Sequence, residues 1–173
     1  MITIHTCKFP RAVEDSSSAQ AVRDMFSAAQ SQPGHGLPQA KLDSEVRTTL
    51  QRALRTGRLK RGFETTLGIL ANERRGLAKL QNKTGKTQAA RVSRLILTSS
   101  DCSQRLLREI GDALQHNAPR VLALSLLADS ATLGSLLYGA DTRVKVLLLD
   151  HKDAVAEMLI AGAQQYIASK SLE

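Results

Sequence analysis

The stretch that decides the fold spans residues 92–126, "VSRLILTSSDCSQRLLREIGDALQHNAPRVLALSL". It begins with a short apolar run, continues with apolar residues every three or four positions, and ends with a second apolar run entered through Pro119. Short apolar runs bounded by turn residues predict strands, and the helical spacing between them predicts an amphipathic helix with Ser103 as its N-cap. The stretch therefore predicts a strand–helix–strand unit.

The same alternation continues to the end of the sequence. The segment "DSATLGSLLYG" predicts a helix capped by Asp129 or Ser130 and ended by Gly139. The segments "VKVLLLD" and "DAVAEMLIAGAQQYIAS" then predict a strand and a final helix. Because crossover helices must pack back onto the sheet, this order predicts an α/β fold, a three-layer α/β/α sandwich with a central mixed sheet.

The sequence before this alternation has two parts, which differ in composition and in apolar periodicity. Residues 1–40 contain clustered Ser, Pro and Gly with one short helical candidate, "SAQAVRDMFSAAQ", and predict a partly irregular N-terminal extension. Residues 41–173 are assigned to the α/β/α domain. It begins with one helix from Asp43 or Ser44 to Gly57 and, after the short "RLK", a second helix from about Gly62 to Asn72 or beyond.

Length, cysteine usage and hydropathy limit the classes of protein to which this sequence can belong. The 173 residues suffice for one domain, and its core must consist mostly of Leu, Ile, Val and Ala because aromatic residues make up only 3%. Cys7 and Cys102 follow no metal-binding or redox spacing, which is typical of a protein from a reducing compartment. The apolar runs are far shorter than the roughly 20 residues that cross a bilayer, so we expect no membrane partner.

Positive charge is concentrated in one part of the sequence. The formal net charge is +8, but thirteen Lys or Arg residues stand between Arg47 and Arg94 against two acids, Glu64 and Glu73, so this segment carries +11 and the rest −3. Such a block favours a polyanionic partner, because binding releases the counterions condensed on it. An anionic membrane suits the block less, since it lacks a bulky apolar face. The alternative interpretation is a set of solvated helix faces.

Residues that could carry catalysis form no recognisable constellation. The run Gly85-Lys86-Thr87 resembles the end of a phosphate-binding loop, but Leu80 stands where the loop needs glycine, and the segment enters a strand instead of leaving one. Asp101 follows a strand, where α/β domains place ligand groups, and is interpreted as a helix cap. His151, next to Asp150, is a minor candidate for proton transfer without a nucleophile. We therefore expect no catalytic residue, metal or cofactor.

Four segments, in this order, resemble the kink-turn RNA-binding ribosomal protein superfamily of the L-seven-Ae type. "TGRLKRGFETTLGIL" resembles its basic turn and the glycine that opens its RNA-contacting helix, and "RLILTSSDCSQ" resembles its central strand. "DSATLGSLLYG" resembles its Leu-Gly helix start, and "VKVLLLDHKDAVAEML" its last strand and helix. Members include ribosomal proteins, core proteins of small nucleolar ribonucleoproteins and subunits of ribonuclease P/MRP. The similarity spans roughly residues 42–168.

The resemblance implies an RNA site built from the basic turn, the start of the helix behind it and the loop before the Leu-Gly pair. The sequence departs from the family at Glu64, where Asn is expected, at Thr65, where Glu is expected, and at Gly68, where Lys is expected. A carboxylate cannot donate to a base acceptor as an amide does, so these changes weaken kink-turn recognition of the usual kind. The residues implied as RNA contacts are Arg58, Lys60, Arg61, Gly62, Glu64, Thr65, Ser130, Thr132, Leu133 and Gly134.

A basic insert at about residues 74–91 is longer than the family's usual connection. We interpret it as a basic arm that extends the RNA surface, and the alternative is a solvated loop. Its possible RNA contacts are Arg74, Arg75, Lys79, Lys83, Lys86 and Arg91.

Charge and resemblance together predict a non-catalytic RNA-binding structural subunit of a ribonucleoprotein particle, either the ribosome or a ribosome-assembly complex. The partners would be structured RNA, ribosomal or small non-coding, and other proteins of the particle, with phosphate contacts favoured because aromatic residues for base stacking are scarce. One alternative is a ribonuclease P/MRP subunit, and another is a protein–protein interaction module that keeps the fold but has lost kink-turn recognition. The expected location is intracellular, in the nucleolus or on cytoplasmic ribosomes, with the mitochondrion left open.

Overall fold

The computed structural model describes residues 7–31, 36–87 and 90–172. The elements, in chain order, are α1 (Arg11–Glu14), α2 (Ala19–Gln30), β1 (Gln39–Ala40), α3 (Ser44–Arg55), β2 (Leu59–Arg61), α4 (Phe63–Thr84), β3 (Arg94–Thr98), α5 (Gln104–His116), β4 (Val121–Leu126), α6 (Ser130–Tyr138), β5 (Val146–Leu149) and α7 (Lys152–Lys170).

One mixed sheet runs through the middle of the molecule in the order β1-β4-β3-β5-β2. Strands β1, β4 and β3 are parallel, whereas β5 is antiparallel to both of its neighbours, β3 and β2. Consequently β2, β3 and β4 end, and β5 begins, at one side, which we call the upper edge. They begin, and β5 ends, at the opposite side, the lower edge.

Helices cover both faces of the sheet, which confirms the predicted three-layer α/β/α architecture. Alternate residues of β3 enter different cores, with Leu95 and Leu97 on one face and Ile96 on the other, as the period of two requires. The first face packs against α1, α2, α3, α6 and α7, and the second against α4 and α5, through Leu70 and Ile110. The predicted N-caps form, since Ser103 accepts from the Leu106 amide and Asp129 from the Thr132 amide.

The described part of the segment 1–40 belongs to the core of the domain. The helical candidate forms α2, and α1 and α2 pack against α7. Their apolar side chains, together with that of the preceding Phe9, are fully or almost fully buried in the larger core, and the two-residue strand β1 adds an edge to the sheet beside β4. The predicted turn at Pro33-Gly34 lies outside the described residues. The buried side chains of this segment are Phe9, Val13, Val22, Met25 and Phe26.

Helix α4 is longer than predicted and takes up most of the basic insert. It extends over 22 residues to Thr84 and ends at Gly85, whose φ of 65° is the left-handed conformation that glycine adopts at helix ends. A loop for the whole of residues 74–91 is therefore wrong, because residues 74–84 are helical. Gly85 in the run Gly85-Lys86-Thr87 ends a helix, whereas the second glycine of a phosphate-binding loop opens one.

Candidate nucleic-acid interface

The upper edge of the sheet collects several of the sequence-predicted contacts. The Gly62 amide donates to the Val146 carbonyl at 2.9 Å, and Gly62 opens α4 with a φ of 97° that favours glycine. The Ser100 amide donates to the Ala128 carbonyl, also at 2.9 Å, which ties the loop after β3 to the loop before α6. The starts of α4 and α6 therefore lie at the same edge, as the resemblance implies.

The basic turn, however, does not form one surface. Arg58 and Lys60 lie toward the lower edge, where their side chains come within 3.7 Å of Asp153 and Asp150, and the Lys60 Nζ donates to the Gly57 carbonyl at 2.6 Å. The Arg61 guanidinium instead stacks over the Tyr138 ring, 4.8 Å from its centroid. The structure therefore divides the predicted cationic turn, because Arg58 precedes β2, and Lys60 and Arg61 are successive residues of this strand, whose side chains point to opposite faces.

Three residues of the Leu-Gly helix start are buried and contribute to packing. Ser130 and Leu133 are at most 1% exposed, and a Cβ at Gly134 would lie 1.8 Å from the Thr142 carbonyl oxygen. Gly134 therefore lets the loop before β5 approach the backbone of α6. Ser130, Leu133 and Gly134 therefore present no exposed side chain, whereas Thr132 of this group is exposed, and RNA contact at this helix start stays a prediction.

Carboxylates of the chain itself occupy the start of α6. Asp101 accepts hydrogen bonds from the Ser130 amide at 2.9 Å and the Ser130 hydroxyl at 2.7 Å, and Asp129 accepts from the Thr132 amide at 2.7 Å. Hydrogen bonds from Ser99 and Ser130 lower the pKa of Asp101 to about 2, so it is ionised at neutral pH. Asp101 thus accepts hydrogen bonds at the start of α6. The prediction that it caps α5, the helix that directly follows it, is wrong, because Ser103 caps that helix.

Two exposed cations at the upper edge were not among the residues predicted from the sequence. Arg143 and Lys145 are exposed, and their neighbour Val144 donates to the Ser130 carbonyl, which places them beside the start of α6. Their position directly before a predicted strand was the available signal. Around the starts of α4 and α6, the three cations balance three carboxylates, so this group of six has no net positive charge: Arg61, Arg143 and Lys145 against Glu64, Asp101 and Asp129.

The second half of α4 is a different kind of surface. No residue after Leu70 in this helix is buried, and residues 74–87 contain no acidic residue. Within the described part of the chain, none of the Lys or Arg side chains between residues 74 and 86 forms an ion pair, and Arg75 donates to the neutral amide oxygen of Asn72 at 2.6 Å. We call residues 74–86 the cationic arm; its charged residues are Arg74, Arg75, Lys79, Lys83 and Lys86.

The arm starts at the lower edge. Glu73 forms ion pairs with two arginines at this edge. Its carboxylate lies 3.1 Å from Arg94, at the start of β3, and 3.0 Å from Arg120, directly before β4. Because α4 runs from the upper edge at Gly62 to the lower edge at Glu73, its remaining 11 residues continue for about 16 Å past this anchor. The remaining predicted arm residue, Arg91, lies outside this surface, since it is half-buried and donates to the Phe9 carbonyl.

Comparisons with known proteins give similarities in structure alone. No family model matches the chain, and no curated protein matches it. Among solved structures, the chain is similar to a protein of unknown function from Bacillus halodurans, with 18% identity, a TM-score of 0.49, and coverage of 70% of this chain and 99% of the other. It is also similar to the Giardia lamblia 15.5kD RNA binding protein, with 17% identity, a TM-score of 0.41, and coverage of 72% and 86%.

Two further findings concern the described residues. None of their helices is both long and apolar enough to cross a membrane. Across residues 7–31, 36–87 and 90–172, no group of three or more His, Cys, Asp or Glu side chains is arranged to hold a metal ion.

Proposed function

We propose that this protein is a non-catalytic RNA-binding subunit of a ribonucleoprotein particle and that it contacts structured RNA through the cationic arm. The observation that carries the proposal is the cationic arm, which has four exposed cations on α4 and a fifth, Lys86, just after it, with no acidic residue and no ion pair among the described residues. Elsewhere in the molecule, cations such as Arg58 and Lys60 already have carboxylate partners. Charges without partners are the ones available to a polyanion.

The spacing of the arm cations supports a nucleic-acid backbone as the partner. Arg75, Lys79 and Lys83 follow one another at four-residue intervals, so they form one stripe, with successive members about 6 Å apart along the axis. Like charges at this spacing destabilise a helix in isolation, and phosphates lying along the stripe relieve that repulsion. A row of cations recognises the phosphates and the shape of a nucleic acid and not its bases. The cationic arm offers no aromatic side chain on which a base could stack, which agrees with this mode of binding.

The upper edge is the weaker candidate for the phosphate contacts. The orphan amides at the start of α6 already have carboxylate acceptors in Asp101 and Asp129, and these two negative charges repel a phosphate. Recognition of a kink-turn through this edge would require those carboxylates to be displaced. The proposal therefore retains RNA as the partner and assigns the contact to the other end of the molecule.

The proposal is tested by charge reversal at the two ends of the sheet. The variants are K79E/K83E in the arm and, as a matched control, R143E/K145E at the upper edge; all four side chains are exposed. Binding to a structured RNA is measured by fluorescence anisotropy between 50 and 300 mM salt, a range chosen because each lost phosphate contact lowers the salt slope by about 0.7–0.9. We expect the arm variant to bind at least about tenfold more weakly with a flatter slope, and the control to stay within about twofold. The opposite pattern would assign binding to the upper edge.

The particle itself is proposed as the ribosome or a complex that assembles it, and a ribonuclease P/MRP subunit is the alternative. Crosslinking in cells followed by sequencing of the attached RNA separates them. Crosslinked ribosomal RNA would support the ribosome or a complex that assembles it, and crosslinked RNA of ribonuclease P/MRP would support the alternative. Reads spread without enrichment over many RNAs would contradict a fixed particle.

A protein–protein interaction module is the second candidate, favoured by exposed apolar side chains at the end of the chain. Ile167, in the last turn of α7, is 47% exposed, and Leu172 is 90% exposed. Such side chains are typical of contacts with a partner protein when they adjoin one another. Here ribonuclease treatment would leave the protein in its complex, whereas release by ribonuclease supports the RNA-binding proposal.

A further inference from the structure

A cleft of about 360 Å³ opens at the lower edge, beside the base of the cationic arm but separate from it. Its walls come from four separate parts of the chain: residues 10–12, residues 91–93, Arg120 and the start of α7. We call it the lower-edge cleft. Four cations line it against one carboxylate, Asp153: Arg11, Arg91, Arg120 and Lys152.

Two of these cations are held in place by the fold. The Arg91 guanidinium donates to the Phe9 carbonyl, which links the entry to β3 to the segment before α1. Arg120 donates through Nη2 to Glu73 at 3.0 Å and to the Ser93 hydroxyl at 3.4 Å. Its Nε is buried and has no hydrogen-bond partner among the described residues. A buried N–H without an acceptor costs free energy, so an anion that reaches this side chain is stabilised.

The other two cations are unpaired. Arg11 and Lys152 are exposed, and neither forms an ion pair within the described part of the chain. The lining carboxylate, Asp153, lies 3.7 Å from the Arg58 guanidinium and is therefore already shared. These side chains supply positive charge that no carboxylate neutralises within the described part of the chain.

The charges around the cleft do not balance. The Lys, Arg, Asp and Glu side chains that line the cleft, together with their direct ion-pair partners of these types, comprise five cations and two carboxylates, an excess of three positive charges. Bringing like charges together destabilises the folded chain, and a bound anion reverses that effect. Planar guanidinium groups match the oxygens of a phosphate, and a cleft of this volume accommodates one or two phosphate groups. The five cations are Arg11, Arg58, Arg91, Arg120 and Lys152, and the two carboxylates are Glu73 and Asp153.

We propose that the lower-edge cleft is a phosphate-binding site, distinct from the arm and from the upper edge. Its source of phosphate is either the backbone of the RNA held by the arm, which rests on the proposed function, or a free polyphosphate compound, which does not. Either source presents the same chemistry to the cleft, namely phosphate oxygens between Arg91, Arg120, Arg11 and Lys152.

The test uses the full chain and its R11E/K152E variant, because both side chains are exposed and unpaired, so their replacement leaves the fold intact. R143E/K145E at the upper edge is the matched control. Pyrophosphate is titrated into each protein and followed by isothermal titration calorimetry and by the shift in melting temperature. We expect pyrophosphate to raise the melting temperature of the native chain and of the control, and R11E/K152E to bind it at least about tenfold more weakly.

Binding of RNA to the same variant identifies the source. If R11E/K152E weakens both pyrophosphate and RNA, the cleft takes a phosphate of the RNA backbone. If it weakens pyrophosphate alone, a free polyphosphate compound is the ligand, and the proposal holds even where RNA binding fails. If pyrophosphate binds the native chain and R11E/K152E equally, or binds neither, the cleft is not a phosphate site.

Discussion

Gly134 is the residue whose replacement the structure tolerates least. A methyl group there would lie 1.8 Å from the Thr142 carbonyl oxygen, and that atom belongs to backbone, which cannot rotate away. We predict that G134A lowers the free energy of unfolding by about 3 kcal/mol or more, as overpacking against a fixed neighbour does. Urea denaturation measures this effect.

The matched control for this prediction is G111A in α5. A methyl group there would have no neighbour within 4 Å, and alanine favours a helix over glycine by about 1 kcal/mol. We expect this variant to be unchanged or slightly stabilised. Equal effects at the two positions would show that Gly134 is not a packing glycine.

Asp101 makes stability depend on pH in a defined direction. Its folded pKa, about 2, lies below the ordinary value of 3.8, so its hydrogen bonds stabilise the fold fully above about pH 4. That contribution is lost as the pH falls through 2. Since Asp101 is exposed to solvent, we predict that D101N lowers the free energy of unfolding by only about 1 kcal/mol at pH 7.

The difference between D101N and the native chain should then shrink as the pH is lowered from 4 to 2. Thermal unfolding at pH 7, 4 and 2.5 measures it, with D112N on the exposed face of α5 as the control. A difference that stays constant down to pH 2.5 would contradict ionisation as its source.

At the scale of elements, α4 combines a packed half and a free half. Thr66 and Leu70 are its buried residues, whereas no residue of the cationic arm is buried. Helical hydrogen bonds without tertiary packing open readily. We predict that amides of residues 77–84 exchange with deuterium at least about tenfold faster than those of residues 66–73, and that saturating RNA slows the arm selectively. Hydrogen-exchange mass spectrometry resolves the two halves, and uniform protection along α4 would contradict the division.

The elements that could be predicted from the sequence are those with local signals. Strands β3, β4 and β5, helices α5 to α7 and the caps Ser103 and Asp129 follow from periodicity and capping residues within a few positions. Strand β1 has only two residues and no period to detect. The second half of α4 has no continuous apolar stripe, since every residue between positions 74 and 84 except the half-buried Leu77 is exposed, and the length of the helix therefore could not be predicted.

The candidate site was harder to predict because its partners lie far apart in sequence. The cations of the arm were found from charge density alone. The carboxylate that anchors the arm, Glu73, binds residues 21 and 47 positions away, and Asp101 binds Ser130, 29 positions away. Such pairings depend on the order of strands in the sheet. The division of the basic turn between two edges depends on the pairing of β2 with β5, which a three-residue strand does not signal.

At the scale of the whole molecule, residues 7–31 are part of the folding unit. Five of their large apolar side chains are buried, and each contributes roughly 1.5–3 kcal/mol. Their combined loss is on the order of the entire free energy of unfolding of a domain, about 5–15 kcal/mol. We predict that a chain beginning at residue 36 does not unfold cooperatively on heating, and that F26A in the full chain costs about 3 kcal/mol. A truncated chain with a native melting curve would contradict this assignment.

The balanced charges around the starts of α4 and α6, together with the excess of cations in the arm and the lower-edge cleft, contribute a component along the strands to the protein's electric dipole moment. A dipole in the field of a polyanion experiences a torque before the two surfaces touch. On the RNA-binding proposal, the protein would therefore turn its lower edge toward RNA while still in solution, so that long-range electrostatics select the pose in which it lands and short-range contacts only have to hold it there.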